Sequence, residues 1–217
     1  MKNRRVVLAG ASGLVGSSLL AYLLKDSSVA EVHVLSRRPL DISHPKLIIH
    51  VVDFKFLPPL PPLDEIYLAL GTTIKQAGSQ EAFRAVDFEA NLAVAYAGLA
   101  SGATRLGVVS AMGANANASI FYNRVKGELE NALSSLSLEA LIIARPSLII
   151  GDRDKLNQPT RVGEKIGTWI SRLLNPLLPM NYKAVEATKI ALALLSEVPR
   201  HQGKRLLLSG EIQGFKE

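Results

Sequence analysis

The chain contains no cysteine. Disulfides are excluded, as are zinc or iron–sulfur centres held by thiolates, and the composition fits a reducing compartment, for which the cytoplasm is expected. Histidine is sparse: His33, His44, His50 and His201 stand apart, with no spacing that would gather metal ligands. No apolar stretch reaches the roughly 18 uninterrupted residues that a membrane helix needs. Met1-Lys2-Asn3-Arg4-Arg5 and the apolar run to Leu24 have the outline of a secretory signal. That run carries three regularly spaced glycines, and no small-residue cleavage site precedes Lys25-Asp26. A soluble protein with no membrane partner is expected. Net charge is +6, but basic residues are scattered apart from Arg4-Arg5 and Arg37-Arg38, with no basic stripe interleaved with aromatics. Nucleic acid is therefore not an expected partner.

What is present suits a folded enzyme-sized domain. With 48% hydrophobic and 20% charged residues, 217 positions suffice for one substantial α/β core and not for two full domains. Short β-branched runs predict strands at 4–9, 32–36, 47–52, 66–70, 106–110 and 138–144; helical spacing covers 14–24, 80–100 and 122–136. Pro58-Pro59-Leu60-Pro61-Pro62 reads as a stiff exposed linker. Strand and helix taking turns imply parallel strands joined by crossover helices, hence an α/β, doubly wound, mostly parallel Rossmann sheet. Beyond Gly151 the pattern loosens into a polar loop, a helix at 165–174 around Trp169, a helix at 184–195 and a short strand at 206–208. Residues 1–217 read as a single domain, with 152–183 as a small substrate-side cap and a monomer or homodimer as the expected state.

Gly10-Ala11-Ser12-Gly13-Leu14-Val15-Gly16 falls where the first strand meets the first helix. A side chain at Gly10 or Gly13 would obstruct the turn or the approach of a diphosphate to main-chain N–H groups, and Gly16 lets the helix pack close to the sheet. The helix N-terminus then offers unpaired donors and a positive dipole end. About 20 residues on, where an NAD-binding chain places an acid for the ribose 2′-hydroxyl, this chain has Ser36-Arg37-Arg38. Arginine pairs with a 2′-phosphate and stacks on adenine, so NADP(H) is the expected cofactor.

Tyr122 and Lys126 stand at i, i+4 on one helix face, and Ser110 ends the fifth strand on the rim where open α/β sheets hold ligands. When a hydride reaches a carbonyl, some group must give the developing alkoxide a proton. A tyrosine with a pKa of about 10 does so more readily beside an ammonium that stabilises its phenolate. Tyr122 is thus the candidate acid/base, Lys126 its activator and a partner for the nicotinamide ribose, and Ser110 the anchor for the oxygen of a small-molecule substrate.

The spacing G-x-x-G-x-x-G resembles the extended and atypical branches of the short-chain dehydrogenase/reductases. Gly71-Thr72-Thr73, Lys75 to Gly78, Phe83, Val86-Asp87, Ser110, Tyr122 to Glu128, Arg145-Pro146 and Asp152-Arg153 narrow the likeness. Over residues 4–195 the chain resembles the HIV Tat-interacting-protein family, an atypical group of NADPH-binding reductase relatives. By that resemblance Asp53 would meet the adenine amino group, Leu70, Gly71 and Thr72 would line the ribose and diphosphate, and Arg145-Pro146-Ser147 would approach the nicotinamide. The chain departs from the pattern in placing Asp87 where a helix asparagine is expected, with Asn91 one turn on, and in its minimal C-terminal region. The reading that follows is an NADP(H)-dependent oxidoreductase acting on a carbonyl or alcohol. A cofactor-bound sensor without turnover and a nucleotide-sugar epimerase or dehydratase are the alternatives.

Overall fold

In the computed structural model, residues 3–151 and 179–216 are described. Most of the expected cap, including the helix around Trp169, lies outside them. Strands β1 (Arg4–Ala9), β2 (Val29–Ser36), β3 (Leu47–Val51), β4 (Glu65–Leu68), β5 (Arg105–Val109) and β6 (Ala140–Arg145) carry the sheet. Two-residue strands β7 (Ile149–Ile150) and β8 (Val185–Glu186) pair with each other, and β9 (Gly203–Leu208) returns to the main sheet. That sheet has seven parallel strands in the order β3-β2-β1-β4-β5-β6-β9. The Rossmann expectation is met. The strand expected at 206–208 begins earlier, at Gly203, and is the seventh of the sheet, with Leu206 to Leu208 extending the ladder of β6 from Ile143 to Arg145.

Successive residues of a strand face opposite sides, so β1 divides its apolar side chains between two cores. Val6 and Leu8 pack with Leu19, Leu20 and Leu23 of α1 (Leu14–Lys25) and with Ile190 and Leu194 of α6 (Ala187–Glu197). Val7 and Ala9 face Val94 and Ala95 of α4 (Asn91–Ala100) and Leu129 and Leu133 of α5 (Phe121–Ser134). Helices on both faces explain why these strands read as unbroken apolar runs. Among the described residues no helix is long and apolar enough to cross a membrane.

Three local features depart from the sequence reading. The helix expected over 80–100 is three pieces: α3 (Gln80–Arg84), a π-helical stretch (Ala85–Ala90) and α4. A short α2 (Ile74–Ala77) precedes them, with Thr73 Oγ1 accepting from the Gln76 N–H, as Ser79 Oγ accepts from Ala82 N–H to cap α3. The proline-rich stretch is pinned, since Leu57 and Leu60 pack against the second core and Leu60 accepts from the Ser101 hydroxyl. His33 and His50 are not isolated: parallel pairing of β2 with β3 sets their rings stacked, 3.0 Å apart at Nδ1 and Nε2.

At the N-terminal end of the sheet, buried Arg4 donates to both oxygens of buried Glu65 (2.8 and 2.7 Å), which also accepts from the Tyr67 hydroxyl (2.8 Å). Burial, then the Glu65 charge, pushes the Tyr67 phenol well above its usual range. Glu65→Ala leaves the guanidinium and the phenol short of their acceptor and is expected to cost about 3 kcal/mol in urea unfolding; a loss under about 1 kcal/mol contradicts this. Arg4 also reaches Asp26 (2.5 Å). Partial burial opposes the Asp26 charge, but the Ser28 hydroxyl and N–H, then Arg4 and Lys46, outweigh it and hold the carboxyl below its ordinary 3.8. The stabilisation is therefore present above that value and lost as pH falls through the lower folded value. Asp26→Asn is expected to flatten the acid fall in unfolding midpoint below about pH 4; an unchanged slope contradicts it.

Candidate functional site

The chain runs from β1 outward to β2 and β3, then returns across the sheet to β4. The C-terminal ends of β1 and β4 thus flank a topological switch point, where open α/β sheets leave a crevice. Gly10 follows β1 with φ +95°, and a Cβ there would lie 2.4 Å from Ala69 C and O and 2.7 Å from Leu70 N. A Cβ on Gly16 would lie 1.9 Å from Gly10 O. Gly13 N donates to Gly10 O (2.9 Å), and Gly13 caps α1 without a side-chain hydrogen bond or an acid in the first turn. Buried Ala11, Leu14 and Val15 anchor the turn in the core while Ser12 sits exposed at its tip. Bare main chain at a positive helix end is able to take a diphosphate.

Ser36 ends β2 on the same rim, beside the strand that leads to Gly10. Its Oγ accepts from Arg38 N (3.3 Å), while the Arg37 and Arg38 side chains are exposed and have no carboxylate partner among the described residues. Asp53 lies exposed beyond β3, and its Oδ1 accepts from Lys55 N (3.0 Å) in a turn. The main-chain contact from Ala69 N to Ala9 O (2.9 Å) starts the loop holding Leu70, Gly71 and Thr72.

That loop leads to the second half of the site. Thr72 N donates to Asp87 Oδ2 (2.8 Å), and Asp87 Oδ1 lies 2.7 Å from Lys126 Nζ. Both side chains are buried. Burial works against the Lys126 charge, but Asp87 first, then Tyr122 and Glu130, hold the ammonium above its ordinary value. The π-helical stretch presents Asp87, and Asn91 props it, with Nδ2 donating to the carbonyls of Val86 and Asp87 (both 3.2 Å) and of Leu70 (3.4 Å). Asn91 Oδ1 is buried with no donor among the described residues. Tyr122 is half-buried, with its ring 5.6 Å from that of Phe83.

Ser110 follows β5 directly, with its N–H bonded to Ala144 O (2.8 Å) and its hydroxyl already engaged. Its buried hydroxyl donates to Glu130 Oε1, and Glu130 is held by Arg145 (Nη2 to Oε2, 2.5 Å). Glu130 follows Tyr122 by two helical turns and Lys126 by one on α5. Pro146 is buried after β6, its carbonyl accepting from Met112 N (2.9 Å). Sequence reasoning did not foresee the Lys126–Asp87 pair or the Glu130 hub. The i, i+4, i+8 spacing of Tyr122, Lys126 and Glu130 was the available signal for the hub; Asp87 was singled out by the family likeness, but its pairing with Lys126 had no spacing signal, because a π turn sets its direction.

No family model matches the chain. It is 30% identical over 202 residues to the mitochondrial protein FMP52 of Debaryomyces hansenii, covering 90% of this chain and 89% of that one. It is also 30% identical to mitochondrial FMP52 of Coccidioides immitis, over 94% of this chain and 92% of the relative. Among solved structures, a short-chain dehydrogenase/reductase family oxidoreductase from Burkholderia thailandensis superposes with a TM-score of 0.70 at 15% identity, covering 99% and 95% of the two chains. A UDP-N-acetylglucosamine 4-epimerase from Methanobrevibacter ruminantium gives 0.68 at 18%, over 96% and 77%. The expected cytoplasmic address is overturned by relatives that match over nearly the whole length and are named mitochondrial. Lack of cysteine marks only the absence of disulfides and distinguishes no reducing compartment from another. With an α/β Rossmann-like fold and relatives matching over nearly their whole length, the chain belongs to the FMP52 family.

Proposed function

We propose that this protein is an NADP(H)-dependent oxidoreductase of the short-chain dehydrogenase/reductase type that acts on a small carbonyl or alcohol. One observation carries the reading: a single loop, Ala69 to Thr72, touches both halves of the site. A Cβ on Gly10 would strike Ala69 and Leu70, and one on Gly71 would lie 3.5 Å from Asp87 Oδ1 and 3.9 Å from Lys126 Nζ. A dinucleotide along this loop would have its diphosphate at the glycine turn and its nicotinamide end near Tyr122 and Lys126. The likeness to the HIV Tat-interacting-protein family supports the same placement, and a short-chain dehydrogenase/reductase superfamily protein of this fold from Agrobacterium tumefaciens binds NAD.

The exposed guanidinium groups of Arg37 and Arg38, without a carboxylate partner among the described residues, favour a 2′-phosphate. When bound, the nicotinamide supplies or accepts the hydride. Tyr122 gives its proton to the substrate oxygen as the carbonyl electron pair moves onto that oxygen, Lys126 stabilises the phenolate left behind, and water restores the proton. Leu70, Gly71 and Thr72 would border the ribose and Pro146 the nicotinamide. Ser110 can anchor the substrate oxygen only by turning its hydroxyl away from Glu130. That commitment favours a second reading, in which the protein binds the cofactor as a sensor without turnover.

Isothermal calorimetry tests the cofactor assignment. NADPH is expected to bind at least about tenfold tighter than NADH, with the preference lost in Arg37→Ala/Arg38→Ala; tighter binding of NADH contradicts it. Tyr122→Phe is expected to lower reduction across a panel of carbonyl compounds by about 10²–10⁴-fold and to leave NADPH affinity within about twofold. Full turnover in that variant removes Tyr122 from the reaction, and a silent panel with tight NADPH binding favours the sensor.

A further inference from the structure

The sheet ends on one side at β3 and on the other at β9, and the two edges are built differently. β9 carries Lys204 and Arg205, and charges on an edge strand discourage pairing with another chain. β3 reads Leu47-Ile48-Ile49-His50-Val51, with no lysine, proline, glycine or acid, and it follows β2 without a shift of register. Ile48 and Val51 are exposed, as are Ile42 before the strand and Phe56 after it. From this contrast we propose that β3 is the contact surface of a homodimer, in which two copies join their sheets edge to edge by antiparallel pairing about Ile49.

A parallel strand directs the N–H and C=O of alternate residues to opposite sides. Val32 N donates to Lys46 O (2.8 Å) and Val52 N to Ser36 O (2.9 Å), so the even-numbered residues of this stretch face β2 and Leu47, Ile49 and Val51 face outward. Leu47 N is taken up by His44 O (2.9 Å), but among the described residues the outward main chain of Ile49 and Val51 has no partner. A two-fold axis at Ile49 sets that residue against itself and sets Leu47 of each copy against Val51 of the other. This register pairs every residue of the strand, whereas any slip leaves an end open. The sequence around it is also self-complementary. Lys46 precedes the strand and Asp53 follows it, so antiparallel pairing brings opposite charges toward each other at both ends, and no like charges meet along the strand. The same pairing brings the Ile42 end of one copy to the Phe56 end of the other. A closed contact of this kind, with one patch serving both sides, calls for a second copy and not for a foreign strand. The crevice at the C-terminal ends of the strands stays open, because antiparallel joining sends the two crevices to opposite ends of the joined sheet.

Sedimentation velocity tests the proposal. At about 100 μM the wild type is expected to run as a dimer, and Ile49→Pro and Val51→Lys are each expected to raise the dimer Kd at least about tenfold. The proline removes an outward N–H and spares the ladder to β2, and a lysine on the edge is the means by which natural edge strands resist pairing. Thermal unfolding in dilute solution checks that each variant folds; should Ile49→Pro not fold, Val51→Lys decides. Because the chain has no cysteine, Ile49→Cys introduces its sole thiol and is expected to link two copies by a disulfide on mild oxidation. Tyr96→Cys, at an exposed position on α4, is expected to stay unlinked. A wild type that remains monomeric at about 100 μM overturns the proposal. So does a dimer indifferent to the folded edge variants, or one linked by Tyr96→Cys and not by Ile49→Cys.

Discussion

Gly10 O and Gly16 stand so close that a single Cβ on Gly16 would come within 1.9 Å of the oxygen. From that contact the rest of the crevice follows. It lets α1 begin directly over the end of β1, with Gly13 as an N-cap that brings no side chain of its own to the first turn. Gly10, at φ +95°, turns its open side toward Ala69 and Leu70, so the loop after β4 can lean against the same turn. A side chain at Gly10 or Gly16 would separate helix, turn and loop, and the anion-accepting main chain would be lost with them.

The same loop carries the effect across the sheet. Thr72 reaches Asp87, Asp87 reaches Lys126, and Lys126 stands one helical turn from Tyr122. Buried charges occur here as matched sets: Lys126 with Asp87, Arg145 with Glu130, and at the opposite end of the sheet Arg4 with Glu65. Buried pairs of this kind cost desolvation and contribute little net stability, yet loss of one partner strands the other. Such pairs hold side chains in fixed places, and at the C-terminal rim those places surround the crevice.

Much of this was legible from the sequence because it depends on residue spacing. Short β-branched apolar runs marked six strands, and the need for glycine at 10 and 16 could be read from space alone. What escaped depends on backbone geometry that no periodicity encodes. A π-helical stretch leaves the apolar pattern of residues 80–100 almost unchanged while it redirects Asp87 toward Lys126. Ser110 was rightly placed just past β5, but its side-chain direction is set by Glu130, two turns along a helix distant in sequence. The pairing of His33 with His50 depends on strand order, and β9 was too short an apolar signal to be assigned to the sheet. The compartment was not legible at all, since composition carries no address.

The central claim is that the glycine turn and the Tyr122–Lys126 face are the two ends of one dinucleotide site joined by residues 69–72. A crystal structure grown with NADPH tests it most directly. The diphosphate should rest on the main-chain N–H groups that open α1, the 2′-phosphate beside Arg37 and Arg38, and the nicotinamide ribose within hydrogen-bond reach of Lys126. Density for the cofactor anywhere else on the molecule, or a nicotinamide turned away from Tyr122, would contradict the account.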